Sequence, residues 1–156
     1  MKKTNAMRIL DSNKIKYEIH DYTATGAVSG MDVAKALNED ERKAFKTLVT
    51  HGKGEYYVFV VPVNKELDLK KAAAASGEKK IEMLPQKELL PLTGYIHGGC
   101  SPIGMKKLFK TFIDASAKDF DRMFVSGGKV GMQIEIAPND LVDLIKGEFY
   151  PVTKEE

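Results

Sequence analysis

A glycine-rich segment at residues 94–107, GYIHGGCSPIGMKK, holds the densest set of residues that could do chemistry in this chain. Its four glycines lack a Cβ, so their main-chain groups can approach a ligand closely or adopt positive φ values. Pro102 fixes its own φ and restricts Ser101 before it, which stiffens the loop. An open and stiff loop is suited to holding a small polar group with main-chain atoms, although a plain connector between strands has the same composition.

Two side chains could serve as nucleophiles, and neither has a complete catalytic setting. Cys100 lies three positions after His97, but that spacing in a loop fixes no geometry, and no carboxylate stands where it would orient the histidine. Ser126 begins a Ser-Gly-Gly sequence without the strand, elbow and helix pattern of a serine hydrolase. This sequence is more typical of a hairpin turn whose hydroxyl or amides face a pocket.

Lys46 lies inside an apolar strand pattern, FKTLV at residues 45–49. A lysine in such a run either extends its ammonium to solvent or is held inward by an anionic partner, and the pattern leaves both open. The chain lacks GxxxxGK[ST] and GxGxxG, and its three scattered histidines and single cysteine do not suit a zinc site. We therefore predict no cofactor and no metal, and a site that positions and polarises a substrate instead of attacking it.

The composition is that of an ordinary globular protein of 156 residues, with 43% hydrophobic and 29% charged residues, and predicts one domain over residues 1–156. No apolar run approaches the roughly 20 residues that span a bilayer, and the first residues lack the apolar core of a signal peptide. One cysteine excludes an internal disulfide and fits a cytoplasmic location. A net charge of +2 gives no nucleic-acid footprint by itself, although lysine pairs such as Lys106 and Lys107 leave a phosphate-bearing partner open.

Turn signals and periodicity predict that strands outnumber helices. The predicted strands cover residues 15–20, 45–50, 56–63, 81–84, 107–113, 123–126 and 131–136, with hairpin turns at 51–54 and 127–129. The predicted helices cover residues 4–13, 29–37, 68–76, 86–90 and 138–146, with a helical turn at 119–122. The run at 56–63 is apolar on both parities and indicates a central strand buried on both faces. This order predicts an α/β chain of the α+β type, with a mixed, partly curled sheet and helices packed outside.

Taken together, the motifs resemble the YbaK/EbsC proteins, freestanding relatives of the editing insertion of bacterial prolyl-tRNA synthetase. The matching segments are IHDY at 19–22, FKTL at 45–48, LDLKKAA at 67–73, the segment 94–107, VSGGKVG at 125–131 and PNDL at 138–141. They follow one another over nearly the whole chain. The combination of KTL, GYIHGGCSPIG and SGGKxG is far more specific than any one of the three.

The resemblance implies a barrel-like mixed sheet surrounded by helices, and an aminoacyl-tRNA deacylase that clears mischarged tRNA in trans. The typical substrate is Cys-tRNA(Pro), and sometimes Cys-tRNA(Cys). In the cysteinyl branch of the family the substrate's own thiol attacks its ester carbonyl and releases a cyclic thiolactone, so the protein needs no nucleophile. The resemblance also implies little selection among tRNA bodies, with prolyl-tRNA synthetase as a partner that adds specificity.

The resemblance assigns roles to eight residues. Lys46 is implied to be the central catalytic residue, holding the acylated terminal adenosine through its phosphate or ester region. The implied substrate-binding residues are Tyr22, Thr47, Gly98, Gly99, Pro102, Ser126 and Gln133. Gln133 departs from the family because many relatives carry an acidic residue there, and an amide can hydrogen-bond an amine but supplies no charge.

Three alternatives to the cysteinyl deacylase remain open. Gln133 and the lack of an aromatic residue near positions 28–30 leave the amino-acid preference unsettled. The protein could be a deacylase for another small aminoacyl-tRNA, such as Ala-tRNA(Pro). It could be a non-catalytic module that binds tRNA or a synthetase. It could also be a small-molecule carbonyl or ester hydrolase that uses Cys100 or Ser126.

Overall fold

The computed structural model describes residues 2–155, which form helices, strands and three short 3₁₀ segments. The helices are α1 (Asn5–Ser12), α2 (Gly30–Ala36), α3 (Leu69–Ser76), α4 (Leu89–Thr93) and α5 (Pro138–Leu144). The strands are β1 (Tyr17–Asp21), β2 (Phe45–His51), β3 (Tyr56–Pro62), β4 (Glu82–Met83), β5 (Lys110–Asp114), β6 (Met123–Ser126), β7 (Met132–Ile136) and β8 (Glu148–Tyr150). The 3₁₀ segments span Thr23–Thr25, Gln86–Glu88 and Ala115–Asp119. None of the helices in this part of the chain has the length and apolar character needed to cross a membrane.

The strands pair into two sheets. An antiparallel sheet has the order β1-β7-β6, and a mixed sheet has the order β4-β2-β3-β5-β8, in which β3–β5 and β5–β8 are parallel. A bridge between Ala44 and Phe124 joins the sheets, and the Phe124 N–H donates to the Lys43 carbonyl at 2.9 Å. The predicted mixed α+β fold is confirmed. The pairing among residues 2–155 does not close a barrel, so the barrel-like form stays a prediction.

β3 is the central strand of the larger sheet and is buried on both faces, as its sequence predicts. Val58 and Val60 contribute to the main core, which also contains the inner side of the three-stranded sheet, α1 and α5. Phe59 and Val61 pack instead into a second core against α3. Since alternate residues of a strand face opposite sides of the sheet, an apolar run on both parities produces two cores.

Side-chain caps begin three of the predicted helices and confirm their N-termini. The Thr4 hydroxyl accepts from the Met7 N–H at 3.3 Å, and Ser29 accepts from the Asp32 N–H at 3.2 Å. The Asp68 carboxylate accepts from two N–H groups in the first turn of α3. These contacts satisfy donors that the first turn of a helix leaves unpaired.

The structure differs from the sequence prediction in four short segments. The strand predicted at 107–113 begins only at Lys110. The helical turn predicted at 119–122 lies earlier, at Ala115–Asp119, because the Asp114 carboxylate accepts from the Ser116 N–H and fixes the first turn there. The helix predicted at 86–90 begins as a 3₁₀ turn and continues to Thr93. β8 was not predicted. The predicted domain over residues 1–156 also includes Met1 and Glu156, which lie outside the described residues.

Candidate active site

A cavity of about 360 Å³ lies between the open edge of β2, the segment before α2 and two glycine-rich loops, the first at residues 94–107 and the second at residues 127–131. Six of the predicted site residues line it: Tyr22, Lys46, Thr47, Gly98, Ser126 and Gln133. Its apolar wall includes Val28, Met31, Val33, Phe45, Leu48, Val63 and Leu89. The structure therefore gathers residues that lie more than 100 positions apart in the sequence around a single space.

The floor of the cavity is an unpaired strand edge. β4 pairs with β2 only at Thr50 and His51, and β6 meets it only at the Ala44–Phe124 bridge, so among the described residues 46–48 have no strand neighbour on the side away from β3. Five consecutive residues, 44–48, line the cavity along this edge. An open edge presents free N–H and C=O groups, and it can therefore hydrogen-bond a polar ligand through the main chain.

Lys46 is the cation of the cavity. It shares a sheet face with Leu48 and with Val61, its partner in the β2–β3 register. Within residues 2–155 its Nζ has no hydrogen-bond acceptor and no ion-pair partner in reach. Partial burial lowers the pKa of the Lys46 ammonium, and the field of Glu66 offsets this only in part. A partly desolvated ammonium without a partner is suited to an anionic or carbonyl group of a ligand.

Two buried oxygen atoms of cavity-lining residues lack hydrogen-bond partners among the described residues, Thr47 Oγ1 and Gln133 Oε1. Both residues line the cavity, and Gln133 is 6% exposed. Burying a polar atom without a partner costs free energy. A hydrogen-bond donor on a ligand would satisfy whichever of these atoms it reaches.

The glycine-rich loops form the opposite wall through close main-chain contact. Gly98 has a φ of +87°, which glycine adopts without strain, and a Cβ there would lie 3.2 Å from a Val28 methyl group. A Cβ on Gly99 would lie 2.9 Å from the Cα of Lys129. Gly99 therefore allows the two loops to touch, although it does not itself line the cavity.

Pro102 lies away from the cavity. It is buried and lines a separate cleft next to Ile9 and Ile103. Its predicted substrate-binding role therefore has no direct contact in this structure, and Pro102 acts on the loop through its fixed φ.

Tyr22 and Ser126 place two hydroxyl groups at the cavity. Tyr22 is 4% exposed, and its N–H donates to the Gly131 carbonyl at 2.8 Å, which attaches this residue to the second glycine-rich loop. Ser126 Oγ accepts from the Gly128 N–H at 3.2 Å and keeps its own proton for a ligand. Ser126 lies directly opposite Gln133 in the β6–β7 register, so their side chains share a face.

Cys100 and His97 also line the cavity, but the thiol is poorly suited to covalent catalysis. Burial raises the pKa of the Cys100 thiol to about 12, and a hydrogen bond to Thr93 offsets this only slightly. The thiol is therefore protonated at neutral pH, whereas nucleophilic attack requires the thiolate. His97 is exposed at the rim. These observations disfavour the ester-hydrolase alternative that uses Cys100.

Outside the cavity, three side chains with metal-ligating atoms meet on the outer face of the small sheet. Glu18, His20 and Glu135 bring their ligand atoms within 4.8 Å of one another. His20 Nε2 lies 2.7 Å from a Glu135 oxygen, and the Arg122 guanidinium lies 3.4 Å from the other oxygen of this carboxylate. His20 and Arg122 thus hold the two oxygens of the Glu135 carboxylate.

Comparison with known proteins identifies the family. The sequence profile of the aminoacyl-tRNA editing domain matches residues 26–144, a span that contains all but Tyr22 of the predicted site residues. The chain belongs to the aminoacyl-tRNA editing domain family. The family resemblance seen in the sequence is thereby confirmed.

Two sequence relatives and one solved structure are similar to this chain. An Enterococcus faecalis protein named provisionally as the Cys-tRNA(Pro)/Cys-tRNA(Cys) deacylase EbsC is 47% identical over 156 residues, which are 99% of this chain and 95% of that protein. The proline–tRNA ligase of Thermosipho africanus is 29% identical over 121 residues, 72% of this chain but 21% of the ligase. A solved structure described provisionally as a trans-editing enzyme for prolyl-tRNA synthetase superposes with a TM-score of 0.85 at 20% identity, covering 99% of this chain and 100% of that one. At that identity the superposition shows the fold alone.

Sequence reasoning missed one residue near the site, Glu39. It follows α2 and accepts a hydrogen bond from the Gln133 side chain at 2.9 Å. The two residues are 94 positions apart, and no motif in the sequence links them. Only the folded chain brings them together.

Proposed function

We propose that this editing-domain protein is a deacylase that clears mischarged Cys-tRNA(Pro), and by the same chemistry Cys-tRNA(Cys), in trans. The observation that carries the proposal is the cavity: it combines an unpartnered lysine, an open strand edge and buried acceptor oxygens with a thiol that is protonated at neutral pH. The similarity to the E. faecalis protein along almost its full length supports the substrate. We also propose that residues 1–156 form one editing domain.

Binding of the acylated 3′ end would use the polar side of the cavity. Lys46 engages the phosphate or ester region of the terminal adenosine, because its partly desolvated ammonium has no partner in the described protein. Thr47, Gly98 and Ser126 surround the aminoacyl group, and Tyr22 lies beside them. Gly99 and Pro102 hold the loop in shape.

The reaction proceeds within the substrate. The cysteinyl sulfur attacks the carbonyl carbon, the C–S bond forms, the ester C–O bond breaks, and the thiol proton passes to the released ribose hydroxyl. The products are a cyclic thiolactone and deacylated tRNA. The cavity holds the thiol against the carbonyl, which supplies the high effective concentration of an intramolecular reaction. Lys46 stabilises the negative charge that develops on the ester oxygens.

A panel of mischarged tRNAs tests the proposal. We expect the wild-type protein to clear Cys-tRNA(Pro) and Cys-tRNA(Cys) and to leave Pro-tRNA(Pro) intact, whereas Lys46→Ala abolishes turnover with the fold retained. Ser-tRNA(Pro), which differs by oxygen in place of sulfur, should be cleared far more slowly because a hydroxyl is a weaker nucleophile. If the wild-type protein clears Ala-tRNA(Pro) and spares Cys-tRNA(Pro), the cysteinyl assignment is wrong. If it binds tRNA and clears nothing, the protein is a binding module.

We further propose prolyl-tRNA synthetase as a partner that delivers the substrate. Proline–tRNA ligases carry a segment similar to this chain within their own sequences, which supports a shared substrate. The small net charge of +2 favours weak tRNA contact by the isolated protein, so a delivering enzyme would add selectivity. Adding the synthetase should raise the rate on Cys-tRNA(Pro) and leave Cys-tRNA(Cys) unaffected.

A further inference from the structure

The side-chain amide of Gln133 is held in one orientation. Its Nε2 donates to a Glu39 carboxylate oxygen at 2.9 Å, and Gln133 as a whole is 6% exposed. An ionised carboxylate only accepts hydrogen bonds, so the amide nitrogen must face Glu39 and the amide oxygen must face the other way. That oxygen, Gln133 Oε1, is buried and has no partner among residues 2–155.

The orientation of Gln133 Oε1 indicates which kind of ligand group it can bind. Gln133 lines the cavity, and its strand position is directly opposite Ser126, another lining residue. An amide oxygen can only accept hydrogen bonds, so the ligand group that meets it must be a donor. Thr47 Oγ1 is a second unpartnered buried oxygen in the same cavity. An ammonium group supplies the N–H donors that Gln133 Oε1 lacks.

The negative charge that would attract such an ammonium lies on Glu39, which is hydrogen-bonded to the far side of the Gln133 amide. Glu39 is partly buried and does not itself line the cavity. Burial and, less strongly, the field of Glu135 raise the pKa of the Glu39 carboxyl, while the hydrogen bond from Gln133 and the proximity of His20 favour its charged form. A polarised amide beside a carboxylate is a stronger acceptor than an isolated amide, because linked hydrogen bonds reinforce each other.

We propose that Glu39 is a positioning residue for substrate selection: it fixes the Gln133 amide so that Oε1 accepts from the α-ammonium of the aminoacyl group. Residue 133 carries no charge of its own, and the Glu39 carboxylate compensates by polarising the Gln133 amide through their hydrogen bond. This inference rests on the proposed function, because it names the group that the deacylase recognises. It makes the free amine, and not only the side chain of the amino acid, a determinant of specificity.

The test compares Cys-tRNA(Pro) with N-acetyl-Cys-tRNA(Pro), which keeps the thiol and the ester but has no ammonium. We expect the wild-type protein to prefer the free amine by about tenfold or more in kcat/KM, as for other hydrogen bonds to charged groups. Glu39→Gln should lose most of this preference through a higher KM for the free amine. An amide at position 39 carries no charge and can present either end to Gln133.

Exchanging the side chains of residues 39 and 133 should restore the preference for the free amine. In the double variant Glu39→Gln with Gln133→Glu, the amide at 39 donates to the carboxylate at 133, and the second carboxylate oxygen faces the cavity. We expect this variant to recover the preference for the free amine that Glu39→Gln alone loses. Glu41→Gln is the matched control, since Glu41 is exposed two positions away and should leave KM and the preference unchanged.

Each result decides between the inference and its alternatives. If Glu39→Gln folds and keeps both the wild-type KM and the preference for the free amine, the inference is wrong although the deacylase stands. If Glu39→Gln does not fold, Gln133→Met takes its place, because it removes the acceptor, and an unchanged preference overturns the inference equally. If the wild-type protein clears no cysteinyl-tRNA, the proposed function itself fails.

Discussion

The main chain of Gly99 lies against the main chain of Lys129, so close that a Cβ on Gly99 would be 2.9 Å from the Lys129 Cα. The same Cβ would lie 2.9 Å from the Val130 nitrogen. Both neighbours are backbone atoms, which cannot rotate away as a flexible side chain can. The wall of the cavity thus depends on a missing side chain at one position.

We expect Gly99→Ala to lower the free energy of unfolding by about 1–3 kcal/mol, the usual range for overpacking. Deacylation of Cys-tRNA(Pro) should fall at least tenfold, because separated loops no longer hold the aminoacyl group. Urea denaturation and initial rates measure the two effects. The control is Gly54→Ala: Gly54 has a φ of +86° and no atom within 4 Å of its added Cβ. That variant should lose about 1 kcal/mol from backbone strain and keep full activity; equal activity in the two variants would contradict the prediction.

Much of the fold follows from local sequence signals, and the exceptions have physical causes. Capping residues and alternating patterns predict the main helices and both hairpins, since these signals act within a few residues. β8 has three residues and pairs in parallel with β5, about 35 positions earlier in the chain, so no local pattern predicts it. Barrel closure likewise depends on how distant strands meet.

Site residues that belong to sequence motifs can be predicted from the sequence. Those that reach the site only through tertiary contacts cannot. Lys46, Thr47, Gly98 and Ser126 belong to family motifs, and the structure places all four at one cavity. Pro102 belongs to the same loop motif yet lines another cleft, because the chain turns away after Cys100. Glu39 belongs to no motif and reaches the site only through tertiary packing.

Replacing Lys46 should change stability and activity in opposite directions. We expect Lys46→Met to abolish deacylation and to raise the free energy of unfolding at pH 7 by about 1 kcal/mol, because an apolar side chain avoids the cost of a partly desolvated charge. Urea denaturation and the tRNA assay measure the two effects. Lys53→Met, at an exposed turn position, is the control and should change neither.

The gain from Lys46→Met should depend on pH. Because burial lowers the pKa of Lys46, the folded state binds this proton less tightly than the unfolded chain does. Wild-type stability therefore rises as pH increases between the folded pKa and the ordinary value of 10.5, and the advantage of the variant shrinks over that interval. An advantage that stays constant between pH 7 and pH 10 would show that the charge is not its source.

Cys100 should be dispensable for turnover. We expect Cys100→Ala to cost about 1 kcal/mol of stability from lost packing, and to keep kcat within a few-fold of the wild-type value. The reason is that a thiol with a pKa of about 12 is protonated at working pH. Intact-protein mass spectrometry during turnover of Cys-tRNA(Pro) checks the same point, since no acyl adduct should form on the chain. A loss beyond a hundredfold with the fold intact would indicate covalent catalysis by Cys100.

The charge of Glu39 should appear in the pH dependence of substrate binding. Burial raises the pKa of its carboxyl above the ordinary 4.5, so Glu39 becomes neutral at a higher pH than an exposed glutamate. The groups that face it are Gln133 and Glu135 of β7 and His20 of β1. A protonated Glu39 can donate to the amide and release its orientation.

We therefore expect an amide-linked analogue of cysteinyl-adenosine, which cannot be cleaved, to bind the wild-type protein about tenfold more weakly at pH 4.5 than at pH 7. Titration calorimetry across this range measures the affinity. In Glu39→Gln the decline should be much smaller, although His20 and Glu135 are still present, so the difference between the two curves isolates Glu39. Parallel curves for the two proteins would assign the titration to those neighbours and remove Glu39 from the recognition of the amine.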